Sequence, residues 1–297
     1  MQSYYNPVKT QNNAAKRCEP HLFKVYAHLH FYWENANFAK KIDTMTRREM
    51  IARMGKATAA ATILGGIPLA AGAADDTEKA NAARLKVLVI GAHPDDPETC
   101  AGGTMCLLAN AGHKVTCAYL TRGEAGIEGM SHDEAAAVRV EECKAACAVT
   151  GATFVFLNQI DGSTEVSVPR YHEMIDFIRE QAPDIVLTHW PIDAHRDHAA
   201  CGMLVLDAWR RLNYSFDLYY FEAMSGTQSQ LFHPTHWVSI DSVLDQKHRA
   251  CFCHKSQHMD DIYNGWHTTM EQFRGIECRC KAAEAFIKHT TALATLD

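Results

Sequence analysis

Two short polar clusters concentrate the chemistry that this sequence can do: His93-Pro94-Asp95-Asp96 and His195-Arg196-Asp197-His198. Each holds two potential metal ligands three residues apart, His93 with Asp96 and His195 with His198. On a turn or a first helical turn, that spacing lets both side chains face one point. A catalytic zinc site takes three protein ligands and keeps a fourth position open for water, so one of the four would be spare. Asp95 stands beside a ligand, where a carboxylate can take the proton from zinc-bound water, whose pKa falls to ~7. Metal-assisted hydrolysis, for instance of an amide, needs that set of groups. Each cluster alone has a plainer reading: Asp is a good helix N-cap, and HRDH could open a solvated helix. Two such clusters at strand ends of one sheet favour the metal reading.

The elements that must position them are written as an alternation. The run Leu85–Ala92 is short, branched and apolar and reads as a buried strand, and Ala101–Ala111 reads as a helix closed by Gly112. Strands follow over Lys114–Thr121, Thr153–Leu157 and Asp184–Trp190, separated by helices over Ser131–Val149 and Arg170–Gln181 and followed by one over Asp197–Leu212. Ser131 with Glu134 reads as a capping box, and Gly151 as a C-terminal stop. Such alternation with short connections predicts an α/β, Rossmann-like single domain, its sheet largely parallel with helices on both faces. Ligands of such sheets bind beyond the carboxyl ends of the strands, where both clusters fall. A dinucleotide is not expected, because the first turn lacks G-x-G-x-x-G and offers acids where phosphates would sit. Beyond Asp217, the pattern suggests two strand-like runs, then helices over Ser242–Gln257 and Thr268–Thr290.

The chain has 297 residues and a formal net charge of -6, which gives no electrostatic case for nucleic acid or an anionic membrane. Its 17 histidines and 11 cysteines stand out. The CxC pairs Cys251/Cys253 and Cys278/Cys280 would point apart on a helix, so they read as packing thiols. Residues 1–44 show no clear period and read as a non-native or disordered extension. Met45–Asp76 joins the twin arginine Arg47-Arg48 to an Ala-rich apolar stretch and an A-x-A site at Ala71–Ala73, in the manner of a twin-arginine export signal. The expected product is an exported domain over 75–297, periplasmic or extracellular, without a membrane span after cleavage.

The sequence also resembles the PIG-L/LmbE-like family of zinc-dependent N-acetylglucosamine deacetylases, over about Lys86–His258. AHPDDPE is similar to its first signature, HRDH to its second, TRGEAGIEG to its glycine-rich loop, RVEECKAACAVTG to its Arg-bearing helix, and HKSQ to a late H-x-S-Q element. The resemblance implies His93, Asp96 and His198 as ligands of Zn2+ or another divalent transition metal, and Asp95 as general base. It implies His195 as general acid or oxyanion stabiliser, and Asp197 as the group that orients His195. Arg139 would reach toward the substrate's aglycone, and His254, Ser256 and Gln257 would line the far wall of the cleft. The substrate would be a small molecule or glycan carrying an N-acetyl amino sugar. One departure is Pro97, which displaces the following acid to Glu98. The rival expectations are hydrolysis of another amide, or sugar binding without catalysis.

Lesser candidates surround these. Glu124 could support the site or bind sugar hydroxyls, and Asp193 lies close enough to HRDH to touch ligand or substrate. Trp190 could stack on a sugar but reads first as packing. Glu222 is a strand-end acid. His233, His236, His248 and His267 read as structural or surface groups.

Overall fold

The computed structural model describes residues 84–290. The extension, the export signal and the start of the 75–297 domain lie outside the described residues. The strands are β1 (Lys86–Gly91), β2 (Lys114–Tyr119), β3 (Thr153–Phe156), β4 (Ile185–His189), β5 (Asp217–Phe221), β6 (His236–Ser239) and β7 (Ala283–Lys288). The helices are α1 (Asp96–Asn110), α2 (His132–Thr150), α3 (Val168–Gln181), α4 (Arg196–Arg211), α5 (Leu244–Cys251), α6 (Met259–Ile262) and α7 (Thr268–Cys278). The sheet runs β3-β2-β1-β4-β5-β7-β6. β1 to β5 are parallel, and β7 lies antiparallel between β5 and β6.

Alternation along β1 builds the two cores. Val87 and Val89 face a layer that includes Cys100, Met105, Cys143 and Cys147 from α1 and α2. Leu88 and Ile90 face Met174, Ile178, Leu204 and Trp209 from α3 and α4. The chain winds outward from β1 through β2 and β3, then returns to lay β4 on β1's other side. The crevice beyond the ends of β1 and β4 is thus the switch point where such sheets bind ligands.

Local signals explain several boundaries. Ser131 Oγ accepts the Glu134 N–H at 3.4 Å and Glu134 Oε2 accepts the Ser131 N–H at 3.1 Å, closing the expected capping box. Gly151 ends α2 in the left-handed region at φ 78, which glycine adopts without strain. Ser131→Ala is expected to lower stability by about 1 kcal/mol, read as a lower urea midpoint with turnover unchanged.

The structure corrects the expected elements at three places. α1 begins at Asp96, five residues ahead of the apolar run, because Pro97 occupies an early helical position where its missing N–H is harmless. This puts Asp96 on the helix itself. The helix expected over Ser242–Gln257 ends at Cys251, and a 3-10 turn takes up Lys255–Gln257. The helix expected to reach Thr290 ends at Cys278, and Ala283–Lys288 is strand β7. Ala, Glu and Lys favour helix locally, but pairing on both sides, with β5 and β6, overrides that preference. The turn between them also gathers the CxC thiols: Arg279 sits at φ 64 and the Cys278 and Cys280 sulfurs lie 3.2 Å apart. Among the described residues, no helix is long and apolar enough to cross a membrane.

Candidate active site

The two clusters meet at the crevice. After β1, the chain turns sharply: a Cβ on Gly91 would lie 2.6 Å from Pro97 Cδ, so only glycine fits against the start of α1. The His93 N–H donates to Asp96 Oδ2 at 2.7 Å, which closes the turn and aims the Asp96 carboxylate inward. His195 caps α4, and His198 lies on its first turn.

Asp96 is the hub. Its Oδ2 lies 3.3 Å from His93 Nδ1 and its Oδ1 lies 3.3 Å from His198 Nε2. His195 stacks on His198 at 4.6 Å between ring centroids and meets the His93 ring edge at 4.8 Å. The expected ligands His93, Asp96 and His198 are therefore mutual neighbours, with His195 alongside. Among the described residues, donor atoms of His93, His195 and His198 lie within 4.8 Å of one another, as do those of Asp96, His189 and His198. Imidazoles and one carboxylate, all converging and largely buried, fit a zinc-type divalent ion.

Electrostatics supports the convergence. Burial opposes ionisation of Asp96, but His198 and His189 outweigh it and hold the carboxyl well below the usual range. Burial disfavours charge on His198, yet Asp96 and Asp193 prevail and raise it to about 9. His195 is lowered, by burial first and then by His198. Its Nδ1 accepts the Asp197 backbone N–H at 3.3 Å, so the neutral ring carries its proton on Nε2.

Asp95 sits beside Asp96 at φ 120, a conformation that L residues rarely adopt. Its side chain keeps 18% exposure, and the buried Arg139 guanidinium lies 3.1 Å from Oδ2. Burial raises the Asp95 carboxyl and Arg139 pulls it back, with a net upward shift.

Several residues expected at the substrate turn inward. Arg139 donates to Asp95 and to the Pro94 carbonyl, not toward an aglycone. His254 is fully buried and aims at Glu98, with Nε2 3.6 Å from Oε2. Gln257 donates to the Gly126 carbonyl at 3.1 Å and Ser256 bonds to Glu142 of α2 at 2.7 Å, so HKSQ ties the glycine-rich loop to the late turn and braces on α2. Glu124 accepts the backbone N–H groups of Arg122 and Asp161. Asp193 accepts from the His195 backbone at 2.8 Å and Ser229 at 2.7 Å, and lies 3.2 Å from His198 Nδ1. Trp190 packs on Tyr220 and donates to the Gln230 carbonyl. Glu222 is paired with Arg274.

The expected partner of Asp197 is corrected. Its carboxylate does not meet the His195 side chain; Oδ2 lies 3.1 Å from His93 Nε2 and 2.7 Å from the Gly162 N–H, and Oδ1 accepts from Thr164 at 2.6 Å. Two site residues escaped the sequence reading. His189, the last residue of β4, is fully buried, stacks on His198 at 4.1 Å and places Nε2 3.1 Å from Asp96 Oδ2. Burial and then His198 lower it to about 4, so it is neutral. Asp161, in the β3–α3 connection, places Oδ1 3.1 Å from His93 Nε2. Neither lies in one of the two polar clusters. The available signals were a strand-end histidine and an Asp-Gly turn.

Residues 88–209 match the PIG-L family, described as GlcNAc-PI de-N-acetylase. A diacetylchitobiose deacetylase of Thermococcus kodakarensis is 32% identical over 197 residues, 61% of this chain and 73% of that protein. A 4-oxalmesaconate hydratase of Pseudomonas putida is 25% identical over 219 residues, 67% of this chain and 83% of that one. The solved N,N'-diacetylchitobiose deacetylase from Pyrococcus horikoshii superposes with a TM-score of 0.63 at 25% identity, over 72% of this chain and 90% of that one. The strand-end placement of the two clusters and the kinship across most of these relatives agree: this chain belongs to the PIG-L family of LmbE-like proteins.

Proposed function

We propose that this protein is a zinc-dependent hydrolase that removes an acetyl group from an N-acetylglucosamine-type substrate. The observation that carries it is the Asp96 carboxylate lying 3.3 Å from both His93 and His198, with Asp95 at the same turn. The deacetylase relatives support the substrate class.

His93, Asp96 and His198 would hold the ion, which when bound acidifies a water and polarises the amide carbonyl. The chain's own groups do the rest. Asp95 takes a proton from the attacking water as its oxygen bonds to the carbonyl carbon. The His195 Nε2–H donates a hydrogen bond to the oxygen on which charge develops, and needs no added proton to do so. Asp95 then returns its proton to the nitrogen as the C–N bond breaks, leaving acetate and a free amine. Arg139 holds Asp95 in place. The twin-arginine stretch supports an extracytoplasmic place of action, on sequence grounds alone.

The test is acetate release by the purified chain, stripped with a chelator and reloaded with zinc, across a panel of N-acetylglucosamine conjugates. Release that returns only with the divalent ion is expected, and the best conjugate points to the aglycone. Bound metal without acetate from any conjugate overturns the reading. It would shift the assignment to another amide, to sugar binding, or to water addition of the kind the Pseudomonas relative is named for, which liberates no acetate.

A further inference from the structure

His93 is held from both edges, and the outer edge is the unexplained one. Its Nδ1 faces Asp96, while its Nε2 faces two carboxylates at once, Asp161 Oδ1 and Asp197 Oδ2, each at 3.1 Å. The two acids come from different parts of the chain and are stitched into one frame. Gly162 N–H and Thr164 Oγ1, from the loop that carries Asp161, both donate to Asp197. Asp161 Oδ2 accepts the Ala125 N–H at 3.1 Å, and the Asp161 N–H goes to Glu124 at 3.3 Å, so the same loop is tied to the glycine-rich loop.

We infer that Asp161 is a positioning residue of the metal centre: with Asp197 it grips the Nε2–H of His93 and so turns Nδ1 toward the ion. This rests on the proposed ligand set His93, Asp96 and His198. A metal-ligating imidazole commonly gives its other N–H to a carboxylate, which fixes the tautomer, orients the ring and raises its basicity toward the metal. Asp161 also explains what Glu124 is for. Glu124 and Ala125 anchor the acid that orients His93, so the glycine-rich loop bears on the metal through Asp161.

The test is the dissociation constant for Zn2+, measured by competition with a chromophoric chelator, together with the visible absorption of the Co2+-loaded protein. Asp161→Asn keeps the shape of the side chain and removes its charge. It is expected to weaken binding about 10- to 100-fold and to shift the Co2+ bands, while the thermal midpoint of the metal-free protein stays near wild type. Asp161→Ser serves if the asparagine variant is poorly folded, since it removes the carboxylate with less bulk. His93→Ala is the internal control. If it loses the metal and both Asp161 variants bind as tightly as wild type, the inference is overturned while the ligand set stands. If His93→Ala binds zinc undiminished, the ligand set itself is wrong and the inference falls with it.

Discussion

Asp95→Asn is expected to lose about 10²- to 10⁴-fold in turnover, the usual contribution of a positioned general base, while retaining its metal and its fold. The side chain is nearly isosteric, so Arg139 keeps a carbonyl oxygen to bond, and none of the three proposed ligands is altered. The backbone strengthens the case. At φ 120 and ψ -32, Asp95 occupies a region that costs about 1–3 kcal/mol for a residue with a Cβ. It is held there by Thr99, whose N–H and hydroxyl both donate to the Asp95 carbonyl, at 2.8 and 2.9 Å, and by Arg139. A position that needed only a turn would be better served by glycine. Asp95→Gly relieves that strain but leaves the buried Arg139 guanidinium without its carboxylate, so it is expected to be inactive and no more stable than wild type. The measurements are acetate release at saturating zinc, metal content, and the thermal midpoint. Full activity in the asparagine variant removes Asp95 as the base.

Strand–helix alternation from Lys86 to Arg211 was readable because most elements carry their own signal: branched runs for β1 and β4, a capping box for α2, a proline near the start of α3. The two clusters were readable for the same reason, since the residues of each lie within one turn. What failed depends on contacts between distant segments. His189 joins the site because β4 lies beside β1, and a lone histidine cannot announce that pairing. Asp197 was assigned to the histidine two residues away, but Gly162 and Thr164, from the loop before α3, hold its carboxylate on His93 instead. Arg139, Glu124, Asp193, His254 and Gln257 were expected to face the substrate, and their polar ends bond to other protein groups. Only packing distinguishes a residue that touches substrate from one that braces its neighbour. Glu284 was invisible altogether, in a stretch composed like a helix.

That last residue bears on the second large effect: Lys247→Met is expected to cost about 3–5 kcal/mol of stability, the penalty for breaking a buried ion pair from one side. Lys247 is fully buried on α5, 2.9 Å from Glu271 of α7 and 2.8 Å from Glu284 of β7. Glu284 also accepts the N–H groups of Gly103 and Thr104 within α1, at 2.7 and 2.8 Å. The lysine thus ties the tail of the chain to the helix that carries Asp96. Gly102 lets it approach, since a Cβ there would lie 3.2 Å from Lys247 Cγ. Methionine matches the stem in length, so packing is largely kept and the loss reports charge. Two buried carboxylates would then face each other without their cation. The sign with pH follows from Glu271. Burial pushes its carboxyl up, but Lys247 and His248 together outweigh this and hold it at about 2, below its ordinary 4.5. A depressed carboxyl contributes stability above its unfolded value and loses it as pH falls toward the folded one. Wild type should therefore weaken between pH about 5 and 2 through this group. In Lys247→Met the depression of Glu271 by the lysine is relieved, so the gap between the two proteins should be widest near neutrality and narrow in acid. Urea unfolding at neutral and acidic pH measures it, and equal midpoints at neutral pH would show that the lysine is no strut.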